Sequence, residues 1–257
     1  MFLFHCDLAS LLDLEYDFQA ALKTRHDTLL SFLFLFTINW GIITKQPRTL
    51  AQQHNTTQHN MTFFDDMKTS FADVPRPEGE ISTLEFLEAS ESLVKLFDLL
   101  GSTAFSVVQS DMTGNINKVS TKFLSDPVNC ATLQKLILTE IKEGGKKTAT
   151  QGLLWLTRGL QFTAVAMRKC IDNQDWELNK CFEKAYSETI IKFHSILIRP
   201  VFKLAMKACP YRKDFFLKLG EDSIKVAEQL EAWVKSLEDV VDVIMKFFES
   251  GNYGKGL

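Results

Sequence analysis

Three polar residues in QSDMTGNINKVSTKF, residues 109–123, have a spacing that can build a binding site. Asp111, Asn115 and Lys118 fall at i, i+4 and i+7, so a helix places all three on one face. Together they supply a charged acceptor, an amide that both donates and accepts, and a cationic donor. That set suits a polyhydroxylated group beside an amide, with charge-assisted bonds fixing its orientation. An ordinary solvated helix face carries the same spacing. Gly114 interrupts the run; a helix-interior Gly costs about 1 kcal/mol relative to Ala and is tolerated where something must approach closely.

A second cluster lies in GLLWLTRGLQF, residues 152–162, where Trp155 and Arg158 share a helix edge with Gly152 and Gly159. A Trp beside polar groups can set its ring against the apolar face of a sugar while its N–H remains a donor, and it serves equally well as core. Arg158 and Gln151 neighbour that ring; Arg158 can also pair structurally with a carboxylate such as Asp111. The third feature is His194 in KFHSIL, expected within an apolar helix beside Phe193, Ile196 and Leu197. It is either a satisfied core histidine or a donor to an amide carbonyl, its other nitrogen held by protein.

None of these clusters assembles a catalyst. Ser195 follows His194 directly, and adjacent helical residues point in different directions. Asp172, Asp175 and Glu177 have no metal-ligand spacing, and Gly144-Gly145 lacks the frame of a phosphate loop. The expectation is a protein that binds without making or breaking a bond, with no metal and no cofactor.

The elements that must position these residues are helices. From Ile81 onward the apolar periodicity is helical: a segment with a Ser82/Thr83 start signal stopping at Gly101, then Thr103–Leu124, Asn129–Lys142, Thr148–Asp172, Trp176–Lys207, Lys213–Leu219 and Ser223–Glu249. Short breakers separate them, and no alternating strand pattern of useful length is present. The first 80 residues read as an extension and linker. Their apolar stretch Leu8–Ile43 has a densest run of 16 residues from Thr28, short of the roughly 20 that span a membrane. Two glycosylation triplets follow, at Asn55 and Asn60, before the breaks at Pro75 and Pro77.

The chain has 257 residues, enough for a substantial core, with 29 Lys and Arg against 32 Asp and Glu. That balance makes nucleic acid a poor partner. Five scattered cysteines without metal spacing read as reduced thiols of a cytoplasmic protein. Phe is abundant, 21 residues against four Trp and four Tyr, which implies a large aromatic core or adaptable apolar walls around a ligand.

Five motifs then occur in one order: FLEASESLVKLFDLLGS, DMTGNINKV, LLWLTRGLQF, KAYSETIIKFHSIL and ACPYRKDFF. In these the chain resembles the glycolipid transfer protein family, from about Ile81 to Tyr253. The resemblance implies an all-α, two-layer fold of about eight helices over residues 81–257, with an apolar lipid chamber. It implies Asp111 as the anchor for a ceramide amide and a sugar hydroxyl, Asn115 and Lys118 as sugar partners, Trp155 as the stacking platform, His194 on the ceramide carbonyl and Tyr253 closing the site. Phe97, Phe105, Val108, Phe162, Phe202 and Phe215 fall where the family has tail-lining or core residues. The implied activity is transfer of a glycosphingolipid, with galactosylceramide, glucosylceramide or lactosylceramide as leading cargo, on the cytosolic face of membranes touched transiently. The rivals are ceramide-1-phosphate transfer and a glycolipid sensor or adaptor whose protein partner is unknown. Three departures qualify the match: Gln151 replaces a typical Leu, Ile196 stands where the well-known animal form has a membrane-resting Trp, leaving Ile196 and Leu197 for that contact, and a short connection carries Lys142, Lys146 and Lys147.

Overall fold

The computed structural model describes residues 61–101 and 105–257; the apolar stretch at Leu8–Ile43, the triplets at Asn55 and Asn60 and the expected helix start at Thr103 lie outside them. Nine α-helices are present among the described residues: α1 Thr83–Val94, α2 Leu96–Leu99, α3 Ser106–Ser125, α4 Leu133–Glu143, α5 Thr148–Asp172, α6 Leu178–Glu188, α7 Arg199–Lys207, α8 Arg212–Leu219 and α9 Ser223–Ser250. Ser82 and Thr132 form an isolated antiparallel bridge, the one β pairing among those residues. The helices stack in two layers about α5, which packs against α3, α4, α6 and α9.

Local chemistry sets the ends of these helices. Thr132 caps α4 through its hydroxyl, which accepts from Lys135 N at 3.3 Å, and Gly144, at φ 66°, ends the helix. Asp222 caps the long α9 by accepting from Ile224 N and Lys225 N, both at 3.1 Å. α5 is capped from another element: the buried Glu140 of α4 takes Ala149 N at 2.9 Å and Thr150 N at 2.7 Å. This satisfies two otherwise orphaned amides and fixes where α5 begins. Ser82 departs from the expected start signal, because its hydroxyl bonds the Glu85 carboxylate and caps no amide. Thr83 likewise turns away, donating to Cys130 O at 2.7 Å and tying α1 to the segment before α4.

Two further expectations need correction. Residues upstream of the expected boundary at 80 contribute to the core: Phe71 is fully buried against Trp233, and Thr62 Oγ1 donates to Gln229 Oε1 at 2.6 Å. The single helix expected over Trp176–Lys207 is three pieces. α6 ends at Glu188, a 3-10 turn spans Ile190–Phe193, and His194 is extended at φ −84°, ψ 134° before α7 restarts. Two residues break the run. Thr189 sits at φ −114°, ψ −85° with its hydroxyl donating to Ala185 O. Pro200 has no N–H for an i−4 carbonyl, so it is accommodated in the first turn of a new helix.

Candidate functional site

The polar face of α3 forms as its spacing predicts. Lys118 Nζ donates to Asn115 Oδ1 at 2.9 Å, and Asn115 Nδ2 donates to Asp111 Oδ2 at 3.3 Å, making a hydrogen-bonded row of three along one helix. Asn115, in the middle of the row, is buried, while Asp111 is half-buried and Lys118 exposed. Burial pushes the Asp111 carboxyl above the usual carboxylate range, and the nearby Lys118 charge opposes this. A carboxylate so placed, with one long hydrogen bond, retains lone pairs for incoming donors.

α5 reaches this row because two of its residues lack side chains. A Cβ at Gly152 would lie 2.9 Å from Lys118 Cβ and 3.2 Å from Asn115 O, while one at Gly159 would meet Met112 at 3.7 Å. These contacts also set an antiparallel register, with Met112 level with Gly159 and Lys118 level with Gly152. Gly114, by contrast, has nothing within 4 Å of its Cβ position, so the close approach of protein falls on α5 and not there. One turn beyond Gly152, Trp155 lies nearly parallel to His194, at an interplanar angle of 13° and 6.3 Å between centroids.

His194 arrives from the break between α6 and α7 and is buried. Its Nδ1 lies 3.0 Å from Tyr186 Oη. In a continuous helix, residues eight apart stand about 12 Å apart along the axis; the break at Thr189 folds the chain so that the two side chains meet. Burial holds the imidazole neutral, its pKa lowered to about 4 with a smaller push from Arg199, and pushes the Tyr186 phenol up to about 12. A neutral ring that accepts from Tyr186 at Nδ1 carries its proton on Nε2, the tautomer able to donate to a carbonyl. Tyr186→Phe is expected to release that tautomer and to cost about 0.5–1.5 kcal/mol of stability, the range of one neutral hydrogen bond; denaturant unfolding measures it. The neutral His194 also sets a pH dependence. Its contribution to stability is complete above its ordinary pKa near 6.5 and is lost as pH falls toward 4, because the unfolded chain then binds the proton first. Protonation of Asp111 works in the opposite sense at the acid end. Denaturant unfolding between neutral pH and about pH 5 tests this, with His194→Gln expected to remove the His194 part of the dependence and to leave that of the carboxylates.

Arg158 corrects one expectation. Its guanidinium pairs with no carboxylate among the described residues, Asp111 included. It lies 3.7 Å from the Phe193 ring centroid and 4.8 Å from that of Trp155, with Nε buried and unpartnered. The two rings hold the cation by their faces. Gln151 is half-buried one turn before Trp155. Tyr253 stacks on Phe247 at 4.9 Å and covers Gly251, while its neighbour Gly254 meets Leu154. The C-terminal turn therefore packs beside the Trp155 segment.

Behind His194 the aromatic rings are continuous. Phe202 lies 4.3 Å from His194 and stacks on Tyr186 at 5.6 Å; Tyr186 meets Phe162, which meets Phe182, then Phe105, then Phe97. Val108 is buried on α3. Phe215 is buried on α8 with its ring against Phe216, on a helix that packs against α2, which carries Phe97. Phe182 and Tyr186 are the members that helix periodicity alone did not single out. On the outside, Ile196 and Leu197 are 80% and 77% exposed, beside the half-open Phe193.

A two-layer helical body with a polar row on its surface and a ladder of rings behind it defines a lipid-binding protein, one end of the ligand wet and the other dry. The model of the family described as glycolipid transfer protein (GLTP) matches residues 81–221. The glycolipid transfer protein of Aureobasidium melanogenum is 50% identical over 189 residues, 74% of this chain and 94% of that one. The crystal structure of HET-C2, a fungal glycolipid transfer protein, superposes with a TM-score of 0.71 at 46% identity, covering 73% of this chain and 97% of that one. Mouse ceramide-1-phosphate transfer protein shares the fold alone, with a TM-score of 0.67 at 19% identity over 75% of this chain and 98% of that one. The chain belongs to the glycolipid transfer protein family. Membership brings with it a lipid-transfer function of that general class, which is not catalytic.

Proposed function

We propose that this protein carries a neutral glycosphingolipid, such as galactosylceramide, glucosylceramide or lactosylceramide, between membranes. The observation that carries the reading is that Trp155 lies parallel to His194 one turn along α5 from Gly152, where α5 packs against Asn115 and Lys118 of the row. The ring face takes the apolar side of the first sugar, and the row takes its hydroxyls. His194 Nε2 donates to the amide carbonyl, and Asp111 accepts from the amide N–H. The tails enter by parting the rings between Phe202 and Phe97, where each CH₂ removed from water contributes about 0.8 kcal/mol.

One feature favours a sugar over a phosphate: Gln151, half-buried one turn before Trp155, is uncharged. The four described cysteines are free thiols, in keeping with work on the cytosolic side of membranes. Re-isolating the protein from vesicles that carry both galactosylceramide and ceramide-1-phosphate, then identifying the bound lipid by mass, tests the reading. Bound galactosylceramide supports it, and ceramide-1-phosphate alone moves the assignment to the phosphate branch.

Loading and release require a membrane, because water does not accept the tails. Ile196 and Leu197 provide the apolar tip next to His194. Replacing both with Asp is expected to slow intervesicle transfer at least tenfold while leaving binding of a water-soluble short-chain glycolipid within about twofold, since burying an apolar side chain contributes about 1.5–3 kcal/mol. Equal loss of both would make these residues part of the lipid site itself.

A further inference from the structure

Arg158 is a buried cation without a counter-charge. The residue is 9% exposed, and its Nε has no hydrogen-bond partner among the described residues. Burial pushes its pKa down with no acidic neighbour to oppose the shift. A guanidinium keeps its proton even so, and removing that charge from water is unfavourable unless something replaces the lost hydration. Two ring faces do so here. Cζ lies 3.7 Å from the Phe193 centroid and 4.8 Å from that of Trp155. The rings themselves meet edge to face, with 6.3 Å between centroids and 77° between planes.

The two rings belong to different elements. Trp155 stands one turn before Arg158 on α5, whereas Phe193 ends the 3-10 turn at Ile190–Phe193 and is followed directly by the extended His194. A four-residue turn between two non-helical residues does not by itself fix where the Phe193 ring lies. The cation joins this segment to the helix that presents Trp155, and beside it the Trp155 and His194 planes come within 13° of parallel. The exposed Lys192 also reaches the Phe193 ring, at 5.0 Å, but among the described residues Arg158 alone reaches both rings. The position calls for arginine in particular. A guanidinium is flat, weakly hydrated and able to stack on aromatic faces, while an ammonium is compact and strongly hydrated.

We propose that Arg158 is a positioning residue for headgroup recognition: its guanidinium, seated on the Phe193 ring, holds the Trp155 ring in the plane on which the first sugar stacks. The inference rests on the glycosphingolipid reading above, in which Trp155 is the stacking platform. The ligand-free protein tests the placement. In isotope-labelled protein the Trp155 indole N–H signal, identified by its loss in Trp155→Ala, is expected to shift or broaden in Arg158→Met, while that of Trp233, packed against Phe64 and Phe71, stays in place. Met keeps much of the length of Arg and leaves no charge to bury, so the fold is expected to survive. Phe193→Leu removes the other ring face at a half-open position, and Phe193→Tyr restores it. Binding of a water-soluble short-chain galactosylceramide is expected to fall about fivefold in Arg158→Met and in Phe193→Leu and to stay within about twofold in Phe193→Tyr. In the Trp155→Ala background, Arg158→Met should change binding by less than about twofold, because the ring through which it acts is gone. Additive losses in that cycle make Arg158 a direct contact of the lipid, and an unmoved Trp155 signal means that other groups place the ring; either result overturns the proposal. If the unmodified protein binds no galactosylceramide, the glycosphingolipid reading fails, and the indole signal still decides whether Arg158 places the ring.

Discussion

Asp111→Val is expected to reduce glycosphingolipid transfer by about a hundredfold or more while leaving the protein at least as stable as before. The carboxylate is proposed to take two charge-assisted hydrogen bonds from the ligand, one from the ceramide amide and one from a sugar hydroxyl. Each contributes roughly 1.5–3 kcal/mol, and about 1.4 kcal/mol is a factor of ten. In the free protein the same group is desolvated, bonded at 3.3 Å to Asn115 and raised in pKa by its burial. Removing a poorly compensated charge costs the fold nothing and can stabilise it. Vesicle transfer and thermal unfolding, measured on the same preparation, separate the two effects. Transfer retained within a factor of two would remove Asp111 from the site, and a cooperative loss of folding would make it structural.

The second large effect is steric. Gly152→Val places methyl groups where a Cβ alone already lies 2.9 Å from Lys118 Cβ and 3.2 Å from Asn115 O. α3 must move off α5, and overpacking of this kind costs typically 1–3 kcal/mol. A loss of about 2 kcal/mol corresponds to a fall in Tm of roughly 4–8 °C for a domain of this size. Asn115 and Lys118 move with α3, so transfer is expected to fall at least tenfold as well. Gly114→Ala is the matched control: its Cβ meets nothing within 4 Å, and restoring a helix former gains about 1 kcal/mol. Two glycines on facing helices should therefore respond with opposite signs of stability change, a contrast that differential scanning calorimetry reads directly. A stable Gly152→Val would mean that the two helices are not locked at this point.

Much of this arrangement is legible in the sequence, for identifiable reasons. The i, i+4, i+7 spacing of Asp111, Asn115 and Lys118 is local, and the helix that makes it meaningful shows in its own apolar periodicity. The order of five motifs implies the two-layer fold and singles out Trp155 and His194 as candidate site residues, which no local spacing could.

What was not legible depends on tertiary geometry. The run from Trp176 to Lys207 is apolar and helical enough to read as one element, and the restraint at Pro200 is a single residue in a long favourable pattern. Missing that break also hid Tyr186, because a straight helix keeps it from His194. Glu140 caps a helix it does not belong to, so no sequence signal at Lys147 or Thr148 announces the start of α5. Gly152 and Gly114 look alike in sequence, and only the facing helix distinguishes a close approach from an open groove. The pairing expected for Arg158 failed for a related reason: its partners are ring faces, one of them from the 3-10 turn after α6.

The most direct test of the account is the rate at which the protein moves fluorescent galactosylceramide from donor to acceptor vesicles, with fluorescent ceramide-1-phosphate as the parallel cargo and Trp155→Ala as the matched variant. The account predicts rapid galactosylceramide transfer, little movement of ceramide-1-phosphate, and loss of about tenfold or more on removing the ring, consistent with the roughly 1–3 kcal/mol that a stacked aromatic contributes. Transfer of ceramide-1-phosphate in preference to galactosylceramide, undiminished in Trp155→Ala, would contradict it.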